Sequence, residues 1–200
     1  MKSIGEGWQY TVYDIGNGRV LKKYHSIIKS YWVIAKTIFP FNVDPFWKIP
    51  FFSWEMKKKA LSSFRIIEKR EIPLKLIGNP YFLNDLDFEQ DKVKPLHDVF
   101  DSSNIDDMEE AIEKFIELNK RFLSLGVIDK SFNITKNYGL TVDNKIILVD
   151  IAELLDDPIK IKKQITKKAW EANYVAGCIK SEGMRKYFID QMDKNFNPAR

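Results

Sequence analysis

The stretch that most restricts this chain is residues 126–153. In it two short apolar, β-branched runs, Tyr138–Val142 and Lys145–Val149, flank the dipeptide Asp143-Asn144. Asp and Asn tolerate the positive φ of a tight turn, so the runs are expected to pair as an antiparallel hairpin. A hairpin brings its outer ends together, which makes Asn137 and Asp150, thirteen positions apart, neighbours at one rim. An amide oxygen beside a carboxylate suits Mg²⁺, which takes one or two protein oxygens and keeps its other positions for phosphate and water. Asp129, upstream, can return to the same rim. Asn and Asp also cap hairpins for conformational reasons alone, so the hairpin by itself leaves both readings open.

The N-terminus alternates strands and glycine turns: Ile4 to Tyr13, then Gly16-Asn17-Gly18, then Arg19 to Tyr24. Gly5 and Gly7 allow a phosphate chain to approach the backbone, and the two-residue strand period puts Val20 and Lys22 on one face. Gly5-x-Gly7 followed by Val12-Tyr13 and by Val20-x-Lys22 resembles the glycine-rich loop and phosphate-binding lysine of protein kinases. Asn137 and Asp150 keep the thirteen-residue spacing between the metal-binding Asn of the kinase catalytic loop and the Asp of its DFG motif.

This resemblance to the protein-kinase-like fold covers residues 4–24, about 75–96 and 107–153. It implies an α+β, two-lobed fold: a β-rich N-lobe over 1–92 and a reduced, mainly helical C-lobe over 93–200. It further implies that Gly5 and Gly7 roof the ATP phosphates, that Lys22 holds the α and β phosphates, and that Asn137 and Asp150 hold Mg²⁺. Backbone groups from Gln90 to Lys92 would bind adenine, Glu55 or Glu68 would pair with Lys22, and Asp129 would be the catalytic base. The sequence departs from the pattern at Tyr10, where a third glycine is expected, and at Asp150-Ile151-Ala152 in place of DFG. The usual five-residue step back from Asn137 lands on Phe132, whereas Asp129 lies eight back. Either three extra residues loop out and Asp129 serves as base, or the base is missing. Taking Asn133 as the metal ligand spoils the spacing to Asp150. The implied activity is ATP- and Mg²⁺-dependent phosphotransfer to an unknown acceptor, small molecule or protein. The alternative is a pseudokinase or scaffold that binds nucleotide or a partner without catalysis.

Composition narrows the remaining classes. A net charge of +4 over 200 residues does not point to nucleic acid unless lysines cluster, which they do only at Lys57–Lys59 and between Lys160 and Lys168. The single Cys178 excludes an internal disulfide, and with His25 and His97 as the two histidines no zinc-type cluster can be assembled. That cysteine usage and an opening segment without an apolar run lead to the expectation of a cytoplasmic protein. Residues 31–54 are dense in Trp and Phe but are broken by Pro40, Pro45, Pro50, Asp44 and lysines, too often for a membrane span. They are expected to wrap the small lobe irregularly, or to meet a membrane surface or a partner protein.

Two helices stand out. One runs from a Ser53 N-cap to about Arg70, stopped by Pro73. The other runs from Asp106 to Leu125, with Asp106 and Glu109 as a capping box and Gly126 as its stop. Between them, residues 75–96 read as strand, turn, strand, beginning with Lys75–Ile77. Beyond Glu153, helices are expected at about 158–176 and 182–194.

Overall fold

The computed structural model describes residues 1–38, 49–102 and 104–196. Phe39, Pro40, Phe41, Asp44, Pro45, Phe46 and Trp47 of the aromatic segment lie outside the described residues. Helices and sheets are mixed in an α+β arrangement. The chain divides into two compact units, Met1–Ser62 with Asn79–Lys92 and Ser63–Gly78 with Val93–Arg200.

The first unit is built on an antiparallel sheet of β1 (Lys2–Glu6), β2 (Tyr10–Gly16), β3 (Arg19–Tyr24), β4 (Tyr81–Phe82) and β5 (Phe88–Asp91), in the order β1-β2-β3-β5-β4. The turn between β2 and β3 needs left-handed backbone, and Gly16, Asn17 and Gly18 supply it with φ of 82°, 52° and 69°. Register sets Val20 opposite Gln90 and Lys22 opposite Phe88. Buried Tyr10 meets Tyr24 and Phe88 edge-on, at 5.3 and 5.5 Å between ring centroids. That packing gives the Tyr10 ring a structural role in the sheet.

Part of the aromatic segment is more regular than expected. Helix α1 covers Ile27–Ile38 and α2 covers Ile49–Lys69. Helix α2 starts four residues before Ser53, because Pro50 in the first turn sacrifices no helical hydrogen bond. Ser53 is therefore buried inside the helix, and its hydroxyl has no partner among the described residues. Ala35 of α1 packs against Tyr31 and Met56. Among the described residues no helix is long and apolar enough to cross a membrane.

In the second unit, residues Leu74–Ile77 form a 3-10 turn rather than the expected strand, ended by Gly78 at φ 69°. Helix α3 (Leu96–Ser102) precedes the long helix α4 (Ile105–Ser124), whose N-cap is Asn104: its side chain accepts from Asp107 N–H at 2.8 Å. The expected Asp106 lies inside the first turn, where its charge suits the positive end of the helix dipole. The buried face of α4 carries Phe115, which meets Tyr138 at 4.6 Å and Phe188 at 5.9 Å.

Two small sheets complete this unit: β7 (Ile128–Asp129) with β10 (Leu154–Leu155), and β6 (Lys94–Pro95), β8 (Tyr138–Leu140) and β9 (Ile146–Leu148) in the order β6-β8-β9. The expected hairpin is β8–β9, with Tyr138 opposite Leu148 and Leu140 opposite Ile146. Its loop is wider than a two-residue turn. The Thr141 hydroxyl takes the Lys145 N–H at 3.0 Å and ends the ladder early, while Asn144 adopts φ 60°. Short α5 (Ile134–Asn137) precedes the hairpin. At the C-terminal side, α6 (Pro158–Thr166) stops where Lys168 takes φ 50°, so the expected helix over 158–176 breaks into α6, a 3-10 turn at Ala169–Glu171 and α7 (Asn173–Ala176). The turn seats fully buried Trp170, whose indole N–H bonds Asp193 of α8 (Glu182–Phe196) at 3.0 Å.

Gly139 of β8 faces Pro95 of β6 at such close range that a Cβ would overlap Val93 Cγ2, with Val93 Cβ at 2.9 Å and the Lys94 carbonyl at 3.2 Å. The substitution Gly139→Ala is expected to cost about 1–3 kcal/mol, the usual penalty of overpacking. A urea melt that leaves the midpoint unchanged contradicts this packing.

Candidate functional site

Asp129 ends β7, where its antiparallel partner in β10 is Leu154, and that pairing leaves the side chain with no exposed surface. The following residues turn sharply. Phe132 is buried at φ 53°, an uncommon conformation for a bulky residue, and is held by Trp170 and Phe196 at ring distances of 5.7 and 5.9 Å. Asn133 then caps α5.

This single helical turn carries Asn137 back to Asp129. The Asn137 amide donates to both carboxylate oxygens at 3.2 Å and to Ser131 Oγ at 3.1 Å. Ser131 Oγ donates to Asp129 at 3.3 Å. The Tyr138 hydroxyl lies 3.5 Å from the same carboxyl and donates to Asn119 Oδ1 at 3.0 Å, and Asn119 in turn donates to the Phe115 carbonyl at 2.9 Å. The one hydroxyl proton goes to Asn119, which leaves the Tyr138 oxygen able to accept from a protonated Asp129.

The other side of the rim is Asp150. Its backbone N–H and that of Val149 both bond the Asn137 carbonyl, at 3.1 and 2.7 Å, and its carboxylate accepts from Ala152 N–H at 3.3 Å. Because the Asn137 donors are occupied by Asp129 and Ser131, its Oδ1 remains as the acceptor of that amide. Asn133 has no such capacity: its Oδ1 takes Lys136 N–H and the Thr135 hydroxyl, and its amide donates to the Tyr174 carbonyl. Burial pushes the Asp129 carboxyl up to about 7, helped by the negative charges of Asp150 and, less, Glu153, against the pull of the Asn137 amide and the Ser131 N–H. Among the described residues no three His, Cys, Asp or Glu side chains gather as a metal site. A magnesium held by one amide and one carboxylate needs only two protein ligands.

The remaining expected residues belong to the first unit, except Glu68, which belongs to the second. Lys22 shares its strand face with Val20, and its Nζ lies 5.6 Å from the centre of the Phe88 ring. Gln90 is fully buried in β5. Gly5 lies in β1 opposite Val12, and the Gly7 N–H bonds the Tyr10 carbonyl at 2.9 Å. A Cβ at either glycine would meet nothing nearer than 3.9 Å, so the fold itself does not require glycine there. The Lys92 N–H bonds the Gly18 carbonyl at 2.8 Å and its ammonium pairs with Asp14 at 2.6 Å. Of the two candidate partners for Lys22, Glu55 is half-buried in α2 and Glu68, in its last turn, is exposed.

Sequence reasoning missed Ser131, Tyr138 and Asn119. Ser131 carried a local signal, a hydroxyl two residues after an acid, the spacing of a side-chain turn. Tyr138 carried none, since it looked like one more member of an apolar run, whereas Asn119 is a polar residue four positions after Phe115 on the apolar face of its helix.

No family model matches the sequence, and no curated protein matches it. Among solved structures, the chain is similar to the protein in the Rv3197–erythromycin complex from Mycobacterium tuberculosis, with 12% identity and a TM-score of 0.50. The match covers 90% of this chain and 53% of the other, so this chain spans about half the length of the solved protein. The likeness extends to the fold alone.

The raised Asp129 value has a thermodynamic consequence. Its ordinary value is 3.8 and its folded value about 7, so between them the folded state holds a proton the unfolded chain has lost. The stability contribution is therefore most favourable at low pH and declines as pH rises through that window, by a few kcal/mol (~1.4 per unit) in total. Asp129→Asn cannot ionise. Its unfolding free energy is expected to exceed that of the native sequence above pH ~7, with the difference vanishing towards pH ~4. A difference that does not vary with pH contradicts the assignment.

Proposed function

We propose that the protein is an ATP- and Mg²⁺-dependent phosphotransferase of a minimal protein-kinase-like type, with an N-lobe over 1–92 and a reduced C-lobe over 93–200. The observation that carries this reading is the hairpin rim. Asn137 and Asp150 are tied backbone to backbone, the amide has an unused oxygen, and the carboxylate accepts a single hydrogen bond among the described residues. Two oxygen donors so placed match the protein share of a magnesium site.

In this reading ATP supplies the phosphoryl group, and magnesium neutralises its charge. Asn137 and Asp150 hold the metal, and Lys22 holds the α and β phosphates. Gly5 and Gly7 admit the phosphate chain to the backbone, and Gln90 contributes backbone groups to the adenine. Asp129 receives the proton of an acceptor hydroxyl, a task suited to a carboxyl whose pKa lies near neutrality. The acceptor is a hydroxyl of a small molecule or a protein.

One observation favours the second reading, a nucleotide-binding pseudokinase. Asp129 has no exposed surface, and its oxygens already meet Asn137 and Ser131. A base must touch the hydroxyl it deprotonates.

ATP turnover and thermal stabilisation by ATP with Mg²⁺ separate these readings. For a catalyst, Asp150→Ala is expected to lower turnover by about a hundredfold or more and to abolish the Mg²⁺-dependent stabilisation. Unchanged turnover in Asp150→Ala rules out its metal role, while nucleotide-induced stabilisation without turnover in the native protein selects the pseudokinase. Gly7→Ala is expected to leave the unfolding free energy within about 1 kcal/mol of native and to weaken nucleotide binding.

A further inference from the structure

The first unit exposes several large apolar side chains on its two helices. On α1, Ile27 is 75%, Ile28 73% and Trp32 60% exposed, and on α2 Phe51 is 57% and Trp54 53% exposed. The exposure is ordered. Phe51, Trp54 and Lys58 follow one another at steps of three and four residues, which places them on one helix face, away from buried Ser53 and Ala60. The Lys58 ammonium sits 3.3 Å above the Trp54 ring. Helix α1 has lysines at positions 29 and 36 and no acidic residue.

Beside these helices lies an open pocket of about 530 Å³, lined among others by Lys23, His25, Ile27, Lys29 and Lys57. Asp87 is the one acid among the residues that line it, and Glu6 lies nearby at Lys29. Asp87 accepts from Tyr24 N–H and from the Asn84 amide, and Glu6 holds Lys29 at 2.7 Å. His25 is buried, and burial lowers its pKa, so it adds no charge near neutral pH. Lys23 and Lys57 form no ion pair among the described residues, so with Lys29 the pocket carries three ammonium groups against the carboxylates of Asp87 and neighbouring Glu6.

We propose that this surface of the first unit binds an anionic lipid bilayer, with lipid phosphate groups at Lys23 and Lys57 and with Ile28, Trp32, Phe51 and Trp54 at the boundary between headgroups and acyl chains. Tryptophan and phenylalanine beside lysine, with Glu55 the one acid beside them on these two helix segments, is the chemistry of an interfacial helix. A protein partner of acidic character would satisfy the lysines but leaves the exposed isoleucines and tryptophans without an apolar phase. The proposal does not depend on phosphotransfer.

The test is flotation of the full chain with vesicles, in the absence of nucleotide. Binding is expected to phosphatidylcholine vesicles containing phosphatidylglycerol, with a blue shift of tryptophan emission, and to be at least about tenfold weaker on phosphatidylcholine alone. Trp32→Ala with Trp54→Ala is expected to weaken binding about tenfold, since each ring removes large apolar area from the interface. Lys23→Gln with Lys57→Gln is expected to weaken it about twentyfold, from roughly fivefold per basic residue near an anionic surface. Unfolding midpoints of both variants verify that they remain folded. Failure to float with anionic vesicles, equal binding to both vesicle types, native-like binding by the tryptophan variant, or release by inorganic phosphate each overturns the proposal. Release by phosphate identifies a site for soluble anions instead.

Discussion

A carboxylic acid removed from water must either keep its proton or be surrounded by donors, and Asp129 is placed where it does some of both. The pairing of β7 with β10 buries it, and nearby Asp150 and Glu153 make ionisation costlier still. The donors that offset this come from Asn137 and Ser131, and Asn137 reaches Asp129 because one turn of helix, capped by Asn133, closes the intervening chain. The left-handed backbone of Phe132 is part of the same closure. Such conformations cost on the order of 1–3 kcal/mol and persist only where the surroundings enforce them. Trp170 and Phe196 provide that enforcement here.

In the first unit, a single strand serves two faces. Along β3, Val20 and Lys22 point to the side of Phe88, while Lys23 lines the pocket on which the lipid proposal rests. The alternation of strand side chains makes this unavoidable: adjacent lysines in one strand must serve different surroundings. The β1–β2 turn is pinned by buried polar contacts. Thr11 meets His25 Nε2 at 3.0 Å, His25 Nδ1 meets the Trp8 carbonyl at 3.2 Å, and Lys29 donates to Thr11 at 2.6 Å. Gly5 and Gly7, adjoining this network, are free of any steric demand from the fold, and a ligand offers one reason for glycine there.

The elements legible in the sequence were those written in local periodicity. The three N-terminal strands, the late hairpin and the long helix of the second unit follow from apolar spacing and turn residues. Their ends were less legible. Asn104 outcompetes Asp106 as a cap because it stands one residue before the first helical turn, and Pro50 moves a helix start ahead of Ser53. Lys75–Ile77 looked like a strand because three residues cannot distinguish period two from a tight turn. At the candidate site, the proximity of Asn137 and Asp150 could be read from hairpin geometry. The contact of Asn137 with Asp129 could not, since it requires knowing that residues Ile134–Asn137 form a helical turn. The engagement of Lys92 with Gly18 and Asp14 depends on partners more than seventy positions away, beyond the reach of any local pattern.

The central claim is that Asn137 and Asp150 share one cation. Substituting Mn²⁺ for Mg²⁺ in the presence of ATP and recording ¹H–¹⁵N spectra tests it directly, because the paramagnetic ion broadens signals only from nearby nuclei. The claim predicts loss of the Asn137 side-chain amide and of the Asp150 and Ala152 backbone signals at the lowest Mn²⁺ additions, with the Asn144 side chain in the hairpin loop broadened less. Full retention of the Asn137 and Asp150 signals at saturating Mn²⁺ and nucleotide contradicts it.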